Sequence, residues 1–351
     1  MTKPGRIPLP DPKIPIPWAK QMSLERVNET TFRSLAGTPY ASLVNRNGEQ
    51  RPRAYGGHVY AQAAYAASKT VPADFIVHSV TGYFTVLGMA DEPFVYSVKT
   101  IRRGRGYIVL SVTVTQDTDP DTICFTSLCS FKRSEDFIDV QPEIQPDKRW
   151  QALLGGRKPE DLEIRADLTD WRNISEPNQE PCFTSGFAGV YTSVIDFSKV
   201  HKQLAPLDRH NLYIFSTVYD DDDCSPNDPN LDACAHLYHS DRESVWSILR
   251  QYELLDVLGN ASSLSHTVVL HAGAEKLRFK DTSGKRRWFY QETWSKRLAD
   301  GRTLHEGRIY DRNGYHVAST MQDGAIKLKP MGTQEMRTIE GKIMGKQEAK
   351  L

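Results

Sequence analysis

The sequence predicts an α+β fold built from two copies of one unit, each with a central helix and several mostly antiparallel strands. The first observation is that the same order of a helix followed by strand motifs occurs twice. The second is the spacing, because the separation of His78 from Ser127 is about that of His266 from Thr320. Two copies are too few for a solenoid. We therefore expect a pseudo-symmetric pair whose sheets join edge to edge, with both helices on one side.

The first copy opens with a helix that is predicted over 58–68. Alanines and other small side chains recur there at helical spacing, directly after Gly56-Gly57. Small side chains allow a helix to lie close against a sheet. Strands are predicted over 76–87, 94–102, 107–117 and 122–133, where β-branched residues are frequent.

The second copy has a predicted helix over 241–258. Val245, Ile248, Leu249 and Tyr252 form one apolar stripe, and Gly259-Asn260 provides a stop signal. Strands are predicted over 265–270, 287–297, 303–311 and 315–327, with a hairpin turn at Asn313-Gly314. The resulting organisation is an extended arm at 1–23, modules at 24–134 and 181–330, a linker at 135–180 and a tail at 331–351.

Composition excludes several classes of protein. The 44 Lys and Arg residues balance 44 Asp and Glu residues, so there is no basic excess of the kind that binds nucleic acid. No apolar run is long enough to predict a membrane span. Five scattered cysteines without a Cys-x-x-Cys pair indicate reduced thiols in an intracellular compartment. The acidic run at 220–223 is interpreted as a solvated loop, and no metal site is predicted.

Three familiar catalytic or nucleotide-binding signatures are missing from the sequence: the Gly-x-Ser-x-Gly elbow, the Walker loop and the dinucleotide fingerprint. The sequence closes on Ala349-Lys350-Leu351, a close variant of the Ser-Lys-Leu peroxisomal address. This ending predicts capture by the peroxisomal import receptor and a peroxisomal location. The alternative is a chance tripeptide after a charged tail.

Three polar residues carry weak signals when each is taken alone. Asp241 is interpreted as a first-turn acid of low pKa, with Ser240 and Glu243 at the spacing of a capping box. Gln322 fits the solvent face of an alternating strand. Ser263 fits a hydrated loop just before a strand.

Two groups of motifs resemble the type II acyl-CoA thioesterases. The first is Tyr55-Gly56-Gly57 with Gln62, followed by 77–84, and the second is 307–314 running into 317–324. The resemblance covers most of residues 24–330 in the same order. It implies a double hotdog fold, in which two pseudo-repeated modules each wrap an antiparallel sheet around a central helix. It also implies hydrolysis of acyl-CoA to acid and CoA without a cofactor, in fatty-acid or related acyl metabolism.

The resemblance further implies site residues. Asp241, Gln322 and Ser263 would orient the attacking water, with Ser263 standing where the family has Thr and Ser262 as the alternative hydroxyl. Backbone N–H groups beside Asp241 or after Gly57 would hold the oxyanion. Substrate binding is assigned to four residues: Gly56, Gly57, Gln62 and His266.

Other functions stay open at this stage. One is a thioesterase for a specialised acyl chain in secondary metabolism, and another is a non-catalytic acyl-CoA-binding protein of the same fold. A hydratase is less favoured, although His239 lies close to Asp241 in sequence. Exposed sheet edges or helix faces in such pseudo-dimers are compatible with a homo-oligomer.

Overall fold

The computed structural model describes residues 6–11, 14–46, 48–141, 144–150, 154–164, 182–187, 190–194, 204, 208–219, 228–242 and 244–348. Its helices are α1 (Trp18–Gln21), α2 (Gly56–Ser68), α3 (Pro146–Arg149), α4 (Pro229–Ser240), α5 (Ser247–Gln251), α6 (Ala274–Leu277) and α7 (Thr333–Glu348). Single 3-10 turns lie at Pro159–Asp161, Ser244–Trp246 and Leu255–Val257.

The strands of the amino-terminal half are β1 (Leu24–Arg26), β2 (Thr31–Ser34), β3 (Tyr40–Arg46), β4 (Glu49–Ala54), β5 (Phe75–Phe84), β6 (Phe94–Arg103), β7 (Tyr107–Gln116) and β8 (Phe125–Arg133). Those of the other half are β9 (Cys182–Phe187), β10 (Val190–Val194), β11 (Asn211–Thr217), β12 (Leu258–Leu270), β13 (Phe289–Ala299), β14 (Arg302–Asp311) and β15 (His316–Leu328). Strands β3 and β4 form a separate hairpin, and the others form one antiparallel sheet in the order β1-β2-β6-β7-β8-β5-β12-β15-β14-β13-β11-β10-β9.

The sheet order confirms the predicted pair of modules. The run β6-β7-β8-β5 of the first module is repeated in reverse as β12-β15-β14-β13 of the second. The two halves meet where β5 pairs with β12, and Val80 lies directly opposite Val268 at this junction. These two valines occupy equivalent positions in the predicted repeat, as a pseudo-two-fold axis between the strands requires.

The two long helices pack against each other in opposite directions on one face of the sheet. The hydroxyl of Tyr55, just before α2, donates to the carbonyl oxygen of Tyr238 near the end of α4 at 2.8 Å. At the other end, Lys69 after α2 pairs with Asp228 before α4 at 2.7 Å. The alanines of α2 are fully buried, and one hydrophobic core contains residues of both modules.

The predicted helix over 241–258 is wrong, because the long helix of the second module lies upstream at Pro229–Ser240. Its start has the signal of Asp at the N-cap followed by Pro, and the Asp228 carboxylate accepts from the backbone N–H of Asn230 at 3.0 Å. After Asp241 the chain forms short turns that are interrupted at Glu253, where φ is +60°. The apolar stripe is nevertheless buried, in a cluster that contains Val245, Ile248 and Leu249. Gly259 and Asn260, predicted to stop the helix, lie inside β12.

Parts of the predicted linker and arm are packed rather than free. Trp150 stacks on Tyr290 with ring centroids 4.9 Å apart, on the face of the second module's sheet that points away from the helices. Trp18, in the short helix α1, is buried and donates its indole N–H to the carbonyl oxygen of Leu231 at 2.9 Å. The arm is therefore anchored on the start of α4.

Among the residues described, none of the helices combines the length and apolar character that a membrane crossing requires. The described side chains also contain no cluster of three or more His, Cys, Asp or Glu residues suited to a metal ion. Cys124, Cys129 and Cys234 are buried free thiols. The acidic run at 220–223 and the tripeptide at 349–351 lie outside the described residues.

Candidate active site

Asp241 lies between the ends of the two long helices. It is the C-cap of α4, so the prediction that it begins a helix is wrong, and so is the predicted capping box. The Ser240 hydroxyl instead donates to the carbonyl oxygen of Leu237, and Glu243 lies outside the described residues. The carboxylate does face a helix start, that of α2, where the backbone N–H of Gly57 donates to it. An anion is favoured at this end of α2 because the positive end of the helix dipole and the N–H groups of the first turn lie there.

Ser263 and Gln322 reach Asp241 from two neighbouring strands. Gln322 is 1% exposed and points inward from β15, so the predicted solvent-facing position is wrong. On β12, Ser263 pairs with Gly324 while Ser265 pairs with Asp323, which leaves Leu264 as an extra residue. Such a bulge reverses the alternation of side chains along a strand. It therefore places Ser263 on the same face as Gln322.

The three side chains form one hydrogen-bonded network. The Gln322 Nε2 group donates to the Ser263 Oγ atom at 2.8 Å and also to Asp241 Oδ1. The Ser263 hydroxyl lies 3.4 Å from the same carboxylate oxygen, to which it donates. Ser263, rather than the alternative Ser262, is thus the hydroxyl beside the carboxylate. The structure brings together three residues that stand 22 to 81 positions apart in the sequence.

The pKa of Asp241 departs from that of an ordinary aspartate. Burial raises it to about 6, because a desolvated carboxylate is less stable as an anion. Hydrogen bonds from Gln322, the Gly57 N–H and Ser263 oppose this shift, as does the positive charge of Arg53. The group is therefore mostly ionised at neutral pH and is a stronger base than an exposed aspartate.

Arg53 is a charged neighbour of the site that the sequence analysis missed. Its side chain extends from β4, is half-buried, and donates to the carbonyl oxygen of Ala261 at 3.4 Å. Burial lowers the pKa of Arg53 and the charge of Asp241 raises it. The only sequence signal was its place two residues before Tyr55 and the Gly-Gly pair.

The Gly-Gly pair provides space for the two helix ends to meet. A Cβ atom on Gly57 would lie 2.5 Å from the carbonyl oxygen of Tyr238 and 2.6 Å from the hydroxyl of Tyr55. A Cβ atom on Gly56 would lie 3.2 Å from Asp241 Oδ2. Both glycines therefore lie at the carboxylate, and a role of either in binding substrate stays a prediction.

His266 and Gln62, the other two residues predicted to bind substrate, have different surroundings. His266 lies opposite Gln322 on β12, and its Nε2 atom is 2.7 Å from the Ser240 hydroxyl, next to Asp241 in the chain. Gln62 is fully buried inside the first module, where its Oε1 atom accepts from the Tyr96 hydroxyl at 2.7 Å. A binding role for either residue stays a prediction.

Among the described residues, the opposite end of the helix pair has an ion pair in place of this network of Asp, Ser and Gln side chains. There, the C-cap position of α2 is Lys69, whose Nζ group pairs with Asp228. Asn230 binds the backbone of β5, with its Nδ2 group donating to the carbonyl oxygen of Phe75 at 3.0 Å. The pseudo-symmetry is thus retained in the fold and lost in the chemistry.

Two family models match the chain, one in each module. The model described as the acyl-CoA thioesterase N-terminal domain matches residues 45–132, and the acyl-CoA thioesterase C-terminal domain matches residues 204–326. Together they cover more than half of the 351 residues.

Curated relatives and solved structures agree with these matches. Acyl-coenzyme A thioesterase 8 of Mus musculus is 26% identical over 285 residues, covering 79% of this chain and 81% of the relative. Acyl-CoA thioesterase 2 of Haemophilus influenzae is 24% identical, with 78% and 87% covered. The structure of the acyl-CoA thioesterase II TesB2 from Mycobacterium marinum superposes with a TM-score of 0.60 at 22% identity, over 90% of this chain and 99% of that one. A hot dog fold protein from Alicyclobacillus acidocaldarius gives a TM-score of 0.59 at 16% identity, over 90% and 98%.

Proposed function

Since this chain belongs to the type II acyl-CoA thioesterase family and is a thioester hydrolase, we propose that Asp241, Ser263 and Gln322 activate the water that cleaves acyl-CoA. One observation carries the proposal: the three side chains are joined by hydrogen bonds around a single carboxylate oxygen. The hydrolase activity makes the non-catalytic alternative wrong.

The proposed reaction uses Asp241 as a general base. The carboxylate takes a proton from water while the water oxygen attacks the carbonyl carbon of the thioester, and the C=O electron pair moves to oxygen. The tetrahedral oxyanion then collapses, the C–S bond breaks, and the proton passes from Asp241 to the sulfur of CoA. The products are a carboxylic acid and the free CoA thiol, and no covalent enzyme intermediate is formed.

Gln322 and Ser263 fix the base and the water. The two protons of the Gln322 amide go to Asp241 and Ser263, which locks the carboxylate and the hydroxyl relative to each other. The oxyanion is assigned to the start of α2, because that helix start faces the carboxylate. We do not assign the oxyanion to the N–H groups beside Asp241, because they lie at the carboxyl end of α4, where the helix dipole disfavours an anion.

The test is release of free thiol from a panel of acyl-CoAs by Asp241→Ala and Gln322→Ala. Each variant is expected to lose about 10²-fold or more in turnover, as for loss of a general base or of the group that orients it. Asp323→Ala is the matched control, because Asp323 follows Gln322 in the chain and pairs with Arg302 instead of the site. Wild-type turnover by either site variant contradicts the mechanism.

The metabolic setting is proposed to be fatty-acid or related acyl metabolism. The same acyl-CoA panel, extended over chain length and branching, tests it. A specialised acyl chain of secondary metabolism is the alternative, and a strong preference for one unusual acyl group supports it over the fatty-acid setting.

A peroxisomal location is proposed from Ala349, Lys350 and Leu351, with the import receptor as the partner. A fluorescent protein that carries this tripeptide at its own carboxyl end should enter peroxisomes. The same protein with Ala in place of the final Leu should not. Assembly into a homo-oligomer stays a prediction. A measurement of the molecular mass of the protein in solution tests it.

A further inference from the structure

His305 lies beside Gln322 in the interior of the second module. It stands on β14 directly opposite Gln322 of β15. Each of the two side chains is 1% exposed. Side chains that are directly opposite on neighbouring antiparallel strands share one face, with Cβ atoms about 4.5–5.5 Å apart. The imidazole ring and the amide are therefore within reach of each other.

Only the NH2 group of the Gln322 amide, and not its oxygen, is hydrogen-bonded in the proposed site. Its Nε2 group donates to Asp241 and Ser263, while its Oε1 atom is buried and has no hydrogen-bond partner among the described residues. Amide oxygen and nitrogen exchange places by a half-turn of the side chain. A flipped amide would direct its oxygen at the carboxylate and lose both hydrogen bonds. A donor at Oε1 would add to the stability of the active orientation and would satisfy a buried acceptor.

His266, the neighbour on the other side of Gln322, does not supply that donor. The single proton of the Ser240 hydroxyl goes to the carbonyl oxygen of Leu237, so the contact between Ser240 Oγ and His266 Nε2 requires the proton on the imidazole. Burial lowers the pKa of His266 to about 3, so the ring is neutral and carries one proton only. Its Nδ1 atom is then an acceptor.

His305 has the donor that is needed. Neither of its ring nitrogens has a hydrogen-bond partner within the part of the chain that the structure describes. Burial lowers its pKa to about 3, so the ring is neutral, with one N–H group and one bare nitrogen. A buried ring with both nitrogens unpaired is costly, and pairing it with the neighbouring amide oxygen removes two unpaired groups at once.

We propose that His305 is a positioning residue that donates a ring N–H to Gln322 Oε1, after a rotation of its ring or through one water molecule. The bond fixes the amide with its Nε2 group toward Asp241 and Ser263. This inference rests on the proposed function, since it assigns His305 a role that acts only through Gln322.

The test compares His305→Leu with His305→Asn in steady-state hydrolysis of one acyl-CoA. Leu has a similar volume and no donor, so kcat is expected to fall about tenfold, the effect of one lost hydrogen bond, with KM unchanged. Asn retains an N–H donor and is expected to recover most of kcat. Ser295→Ala is the matched control, because Ser295 faces His305 from the other side and bonds to Thr303 and the carbonyl oxygen of Leu304.

A double-mutant cycle separates positioning from a general effect on folding. In a Gln322→Ala background, His305→Leu should cause no further fall in kcat. An equal fall in both backgrounds, or a fall in KM and kcat together that Asn does not rescue, overturns the inference. Full turnover by Gln322→Ala alone is a different outcome, because it contradicts the proposed function. If His305→Leu does not fold, His305→Met, which also lacks a donor, replaces it in the rate comparison and in the cycle.

Discussion

Asp241 receives opposing influences on its pKa, and their balance determines whether it can act as a base. Burial destabilises the anion, whereas the hydrogen bonds and the charge of Arg53 stabilise it. A base with a pKa of about 6 is available at neutral pH and still binds a proton well enough to pass it on. Activity that depends on the ionised form should therefore rise with pH through about 6.

Replacing Arg53 should move that rise to higher pH. Arg53 lowers the pKa of Asp241, so Arg53→Met removes a stabilising charge, raises this pKa and leaves less ionised base below pH 7. Values of kcat/KM between pH 5 and 9 should show the inflection shifted upward, while Arg53→Lys should stay near wild type. An acyl-pantetheine substrate, which lacks the CoA nucleotide, should show the same shift. An unshifted inflection contradicts a role for Arg53 at Asp241.

The sequence predicts some of these residues and not others, for a physical reason. Asp241, Ser263 and Gln322 follow from a resemblance carried by local motifs. Arg53 has only its place before Tyr55 as a sequence signal and His305 has none, because each matters through a side chain that is distant in the sequence. Register is set by turns and by bulges such as that at Leu264, and it becomes visible only once the strands are paired.

At the scale of elements, the site exists because the ends of α2 and α4 approach each other closely. The sequence pattern placed α2 correctly, since its buried alanines have a helical period. The second long helix was misplaced, because the apolar stripe after Asp241 has helical spacing but packs as short turns. Asp228-Pro229 marked the true start. The spacing of apolar residues thus predicted which side chains are buried, whereas the capping residues indicated where the helix begins.

Gly57→Ala should disturb both packing and activity. Its Cβ atom would fall 2.5 Å from the Tyr238 carbonyl oxygen, so the helix ends must separate. We expect a loss of about 1–3 kcal/mol in the free energy of unfolding. Turnover should fall about 10²-fold, since Asp241 follows the end of α4.

Gly106→Ala is the control for this substitution, because its Cβ atom would meet nothing closer than 3.8 Å. Thermal unfolding and thiol release are measured on both variants. Equal stability and activity for Gly57→Ala and Gly106→Ala would show that the approach of the two helices is not tight.

At the scale of the whole molecule, the two modules depend on each other. One hydrophobic core contains residues from both, and the sheet continues through β5 and β12. The site itself draws Gly57 from the first module and Asp241 from the second. We therefore expect the modules to unfold together.

The placement of tryptophan allows this to be measured directly. None of the six tryptophans lies within 24–134, and the five that the structure describes lie in the second module or pack on it, so their fluorescence reports that module. Leu110→Ala removes a fully buried side chain from β7 of the first module and should cost about 2–5 kcal/mol. The unfolding transition followed by tryptophan fluorescence should move to lower denaturant concentration, by a shift that corresponds to this whole loss in the free energy of unfolding. Leu128→Ala, on the exposed face of neighbouring β8, should leave it in place. A tryptophan transition that is unmoved in Leu110→Ala, with a separate earlier loss of circular dichroism, would mean that the modules unfold independently despite their shared sheet.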